Sequence, residues 1–361
     1  MNAVEITGKI TGIKYNPFLC RKLKKYDLRD FDMAIAKESA FILDIGDDNE
    51  LGISCWVSAK RTRSYPYERV YNTLSFAGKK VTIIPVFKDE GLDGDRDFLQ
   101  WDTIAMMSLL GINVIVSYYD SAEKSHKYGN KKGNKITNQK FNTKQILSEI
   151  EKLLEYHSDA LHWNLQQIDN IGKIGELALD SYKKISDKTG VKMSSEESGR
   201  KRVKRLLKDK NNFMEHSRFL AQRAQKRESS FTQPNENVDG SKATLTITNY
   251  LKGNYFLTCD EFKKNKNVVS LVEAKHTRTN SLPSISDIKD GLLKMILFSN
   301  LDSVFIGKKE YAVDPILKLT TDSSFNFKEY IKNTSKLEII KLLKKEAKAN
   351  KFTVTINGSV L

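Results

Sequence analysis

The sequence predicts an α/β protein with a mixed sheet on its C-terminal side, preceded by an α/β N-terminal domain and a helical, basic region. Three observations lead there. Short runs rich in Val, Ile and Phe, bounded by Gly, Asn and Asp, recur at both ends of the chain and read as strands. Longer stretches with apolar residues at helical spacing separate them. The length of 361 residues exceeds what one hydrophobic core usually serves, so more than one domain is expected. The divisions fall at residues 1–145, 146–230 and 231–361.

In the first division, residues 4–10, 40–45, 52–57 and 80–87 read as strands. Residues 98–111 read as a helix ended by Gly111, and 112–119 as a buried strand. The Lys-, Gly- and Asn-rich stretch 124–140 reads as an exposed loop. Arg61 and Arg63 mix with Tyr65 and Tyr67 directly after a strand, where guanidinium groups suit phosphates or guanine edges and rings can stack. A basic loop anchored by tyrosines is the competing reading. The acids Asp89, Glu90, Asp93, Asp95, Asp97 and Asp102 do not match the spacing of a calcium loop, and a charged turn leading to a helix N-terminus accounts for them better.

Residues 143–230 read as mainly helical, with Ile146, Ile150, Leu153, Leu154 and His157 on one face. The densest positive charge lies at 200–208, where Arg202 and Arg205 sit on a basic amphipathic segment able to lie along a phosphate backbone. Residues 229–240 are turn-rich and mark entry into the C-terminal sheet.

That sheet is expected to open with a three-strand meander over 244–248, 255–260 and 268–275. The polar stretch 261–267 serves as the turn between the last two strands. Asp260 closes one apolar run and Glu273-Ala274-Lys275 closes the next. Residues two apart on a strand share a face, so Glu273 and Lys275 project together, and in-register pairing brings Asp260 to them. Two carboxylates with a backbone carbonyl and waters suit a hard cation such as Mg²⁺. An ammonium beside them suits charge developing on a phosphoryl oxygen. Next come a helix capped by Ser286 with Ile288, Leu292, Met295 and Ile296 in its stripe, and a strand at 302–307. A helix over 327–348 and a strand over 351–356 close the chain.

At these residues the chain resembles the PD-(D/E)XK nuclease superfamily, and within it the type II restriction endonucleases. The likeness covers residues 240–310, with Cys259 where the motif often has proline. It implies Asp260 and Glu273 as metal ligands, the Ala274 carbonyl as a further one, and Lys275 as the catalytic lysine. Many members add a glutamate on the helix before the motif strands, for which Glu215 and Glu228 are candidates. Arg278 and Lys289, beyond the motif, join Arg61, Arg63, Arg202 and Arg205 as candidate DNA contacts. The resemblance also implies Mg²⁺ as cofactor, double-stranded DNA as substrate and a cognate DNA methyltransferase. A symmetric cut site favours a homodimer. The alternatives are another DNA nuclease on this fold, for repair or structure-specific cutting, and a DNA-binding protein with a degenerate nuclease core.

The formal net charge of +15 agrees with a polyanionic partner. The three cysteines lack metal-ligand spacing, and no run has signal-peptide or membrane-span length, so a cytoplasmic protein is expected. None of the five histidines is spaced for a catalytic triad or a helical zinc pair, and there is no phosphate-binding glycine loop.

Overall fold

Two separate cores organise the chain. The computed structural model describes residues 4–46, 49–60, 65–125, 133–194, 201, 241–249, 254–322 and 324–361. Of these, residues 4–22 and 241–361 form one unit and residues 23–201 the other. The first strand, β1 (Val4–Ile10), belongs with the C-terminal strands.

The 23–201 unit is built on a five-stranded mixed sheet in the order β2-β3-β4-β5-β8. Its strands are β2 (Lys25–Asp27), β3 (Ala40–Gly46), β4 (Asn49–Cys55), β5 (Lys80–Pro85) and β8 (Asn113–Ser117). Helices α1 (Phe31–Lys37), α2 (Pro66–Tyr71) and α3 (Trp101–Leu109) lie between them. Two hairpins are added, β6 (Phe87–Asp89) with β7 (Arg96–Phe98) and β9 (Tyr119–Lys124) with β10 (Ile136–Phe141). Helix α4 (Thr143–Leu154) starts where the Asn142 side chain accepts the Gln145 amide at 2.8 Å. Its Ile146, Ile150 and Leu153, one helical turn apart, join Phe41, Leu43, Ile53, Val81 and Ile115 in the core.

Helix α5 (Ala160–Asp169) closes the β8 edge of that sheet. Asn164 Oδ1 accepts the Val114 amide at 2.6 Å, Gln167 Oε1 accepts the Val116 amide at 3.1 Å, and Trp163 Nε1 donates to the Val114 carbonyl at 2.7 Å. Side chains thus take the backbone groups that a further strand would otherwise pair. Helix α6 (Ile171–Thr189) lies on β9 and ends at Gly190, whose φ of 68° is the left-handed turn glycine tolerates.

The other unit carries β11 (Ser241–Asn249), β12 (Asn254–Asn265) and β13 (Val268–His276) as an antiparallel meander. Helix α7 (Ile285–Ser299) crosses the sheet, β14 (Ser303–Ile306) turns back, and β15 (Lys309–Thr320) runs parallel to β13. Short α8 (Phe327–Tyr330) and long α9 (Thr334–Asn350) lead to β16 (Thr353–Ile356), parallel to β15, and to β17 (Ser359–Val360). β1 lies parallel to β11 and antiparallel to β14. Since β14 also pairs with β15, the strands β11, β12, β13, β15, β14 and β1 close into a ring. The segment after β1 is held on α9: Glu346 accepts the Tyr15 hydroxyl at 2.7 Å and the Phe18 and Leu19 amides at 2.8 and 3.1 Å.

The α/β class and mixed sheets agree with the sequence, but the divisions differ. Residues 4–22 leave the expected 1–145 domain because β1 pairs with β11, and α4 to α6 are part of the 23–201 unit rather than a connecting region. The stretch 124–140 includes β10, and α4 stops before His157, which is exposed. The turn between β12 and β13 shrinks from seven residues to Lys266 and Asn267, Lys266 having φ of 50°. The cap of α7 is Ser284, which accepts the Asp287 amide at 3.1 Å, rather than Ser286. Among the described residues, no helix is long and apolar enough to cross a membrane.

Candidate active site

A bulge in β12 builds the site. Ser241 pairs with Phe262 and Ala243 with Cys259, so β12 carries one extra residue at Asp260–Glu261. There β12 and β13 part: their ladder runs from Asn265↔Val268 only as far as Glu261↔Val272. In the gap, side chains replace backbone partners. The Val272 amide donates to Cys259 Sγ at 3.2 Å, and the Ala274 amide donates to Asp260 Oδ2 at 2.8 Å. The N–H and C=O of one residue leave an extended strand on the same side, so the Ala274 carbonyl faces the same gap.

Side-chain alternation sorts the charges onto two faces. Asp260, Glu273 and Lys275 lie under α7, and Glu261 points to the opposite face, where it pairs with Lys318 of β15 at 2.5 Å. Asp260 and Glu273 are buried, with exposures of 5% and 1%. Lys275 Nζ bridges Glu273 Oε1 at 3.0 Å and Asp290 Oδ2 of α7 at 2.9 Å. Lys294, one turn further along α7, sits 2.6 Å from Glu273 Oε2. Gly291, between them, lets the helix come this close: a Cβ there would lie 2.7 Å from Leu317 Cδ1 and 3.4 Å from Lys275 Cε.

The electrostatics follow from this crowding. Burial alone would raise the Glu273 carboxyl. The Lys294 and Lys275 ammoniums outweigh it, with the Lys294 hydrogen bond adding to them, and hold it at about 2. Burial would lower Lys275, but Glu273, Asp290 and Asp260 raise it well above its ordinary value. Lys294 is raised against burial by Glu273 and Asp260. Both lysines are therefore cations at neutral pH, suited to stabilising negative charge rather than to accepting a proton. The Cys259 thiol is pushed up by burial and the neighbouring Asp260, which leaves it a packing group of the bulge.

The donor set is all hard oxygen. Asp260, Glu273 and the Ala274 carbonyl fit an ion such as Mg²⁺, which uses few protein ligands and keeps its waters. Among the described residues no group of three or more His, Cys, Asp or Glu is placed to hold a metal ion.

The structure thus brings together Asp260, Glu273, Ala274 and Lys275. Arg278 is exposed just beyond β13. Lys289 is not placed to touch DNA: it is buried at 4% exposure, on the flank of α7 it shares with Leu293 and Ile296. Arg61, Arg63, Arg202, Arg205, Glu215 and Glu228 lie outside the described residues. Of the acids in the 89–102 stretch, Glu90 lies between Lys88 and Lys135 at 2.9 and 2.8 Å, Asp89 is 3.5 Å from Arg96, and Asp97 accepts the Ser58 hydroxyl at 2.7 Å. Asp290 and Lys294 are not among the residues the sequence singles out; their signal is a charged pair four residues apart on a helix that is otherwise apolar from Gly291 to Phe298. No family model matches the chain, no curated protein matches it, and no solved structure matches its fold.

Proposed function

We propose that the chain is a Mg²⁺-dependent endonuclease that hydrolyses phosphodiester bonds of double-stranded DNA at a specific sequence, in the manner of type II restriction endonucleases. The observation that carries this reading is the juxtaposition of Asp260 and Glu273, both buried, with the Lys275 ammonium where β12 and β13 part. A meander followed by a helix and a further strand, β14, is the order expected of a PD-(D/E)XK nuclease core, and it supports the reading.

Asp260, Glu273 and the Ala274 carbonyl would hold the metal. When bound, Mg²⁺ supplies Lewis-acid polarisation of a phosphoryl oxygen and lowers the pKa of water. Lys275, fixed between Glu273 and Asp290, presents a permanent positive charge to the phosphorane-like transition state. Arg278 stands outside the site, where it can meet the DNA backbone. A homodimer would match a symmetric target, and a methyltransferase of the same specificity would protect the host's own DNA in a shared cytoplasm.

Plasmids of known sequence incubated with the protein and Mg²⁺ test this. Discrete fragments whose ends share one sequence are expected. Random degradation, or cutting confined to branched DNA, would instead assign another nuclease role.

A further inference from the structure

The geometry points to Lys294 as the resident cation of the site: it holds Glu273 until a divalent metal replaces it, and it is then free to meet the DNA phosphate. This rests on the reading of the site as a metal-dependent nuclease centre. Glu273 has one ammonium on each oxygen, Lys275 on Oε1 at 3.0 Å and Lys294 on Oε2 at 2.6 Å. Asp260 is committed through Oδ2 to the Ala274 amide at 2.8 Å. A metal shared by the two carboxylates therefore competes with a lysine for a Glu273 oxygen.

Lys294 is the one to yield. Among the described residues, Lys275 has two carboxylates within ion-pair distance, Glu273 and Asp290, whereas Lys294 has Glu273 alone. Lys275 and Lys294 both keep 17% of the side chain exposed on a flexible four-carbon stem, so an ammonium released from Glu273 can swing outward, and the smaller number of partners makes it that of Lys294.

Charge accounting gives the displacement a consequence. Asp260, Glu273 and Asp290 face Lys275 and Lys294, so the metal-free cluster carries one net negative charge. A divalent cation turns this to one positive, and a phosphodiester carrying a single negative charge restores neutrality, with the released Lys294 beside it. Metal and DNA then favour each other's binding, and Lys294 keeps metal affinity low until DNA arrives. Lys294 is thus a positioning residue toward the metal. A merely structural lysine would give the opposite sign in the test, since its loss would loosen the site and weaken metal binding.

Mn²⁺ titrated into DNA-free protein, with the free ion followed by its EPR signal, tests the inference. Lys294→Met should bind Mn²⁺ about tenfold more tightly than wild type. Lys294→Arg, which keeps the charge, should stay near wild type, and Asp260→Asn added to either should remove the binding. Unchanged or weaker affinity in Lys294→Met, with Asp260-dependent binding intact, would overturn the role of Lys294 and leave the nuclease reading standing. Absence of Asp260-dependent binding in every variant would overturn both.

Discussion

Asp260 accepts the Ala274 amide at 2.8 Å, at the point where the two strands that carry these residues stop pairing. One carboxylate therefore holds the strands in a parted arrangement while lying beside Glu273 in the gap it creates. Without it, Ala274 would bury an amide with no acceptor, a defect that costs about 1–3 kcal/mol.

The two duties of Asp260 are separable by substitution. Asp260→Asn keeps an oxygen able to accept the amide and loses the charge; Asp260→Ala loses both. In urea denaturation, Asp260→Ala should be less stable than Asp260→Asn by about 1–3 kcal/mol, and neither should bind metal. Equal stabilities would mean that the hydrogen bond does not support the bulge.

The ion pairs of Glu273 make a pH prediction. Its folded-state pKa of about 2 lies below its ordinary 4.5. The stability it contributes is therefore fully present above 4.5 and is lost as pH falls from 4.5 toward 2. Thermal melts of metal-free protein should decline through this window, and the decline should be shallower in Glu273→Gln. Parallel curves for the two proteins would place the acid sensitivity elsewhere.

Glu346 ties the segment after β1 to α9 through three hydrogen bonds, from Tyr15, Phe18 and Leu19. It is fully buried, so Glu346→Ala leaves two amides and a hydroxyl short of an acceptor. A loss of roughly 2 kcal/mol or more is expected in urea denaturation. A change below about 0.5 kcal/mol, the range of an ordinary surface substitution, would show that these bonds do not anchor the segment.

The site strands were legible because Asp260 and the Glu273–Lys275 triplet follow apolar runs whose alternation sets their facing. Three features were hidden for physical reasons. β15 contains Pro315 and begins with Lys309 and Glu310, which argue against a central strand. The sheet accommodates the proline because β16 pairs with β15 only from Ile316 onward. The place of β1 depends on pairing Val4 with Ala243, a contact between residues far apart in the chain that no local pattern encodes. Asp290 and Lys294 look like an ordinary solvated helix pair, and the close approach at Gly291 brings Asp290 to Lys275 and Lys294 to Glu273. Lys289, a candidate DNA contact by sequence, is buried because its flank of α7 carries Leu293 and Ile296.

Whether Asp260, Glu273 and Lys275 form a metal-dependent phosphodiesterase site is tested by cleavage of plasmid DNA by purified wild-type and Lys275→Ala protein, with Mg²⁺ or with EDTA. Such a site gives discrete fragments with Mg²⁺, none with EDTA, and a rate at least about 10²-fold lower for a folded Lys275→Ala variant. Cleavage that persists in EDTA or in Lys275→Ala would contradict it, as would a failure of the wild type to cut unmethylated, methylated and branched DNA.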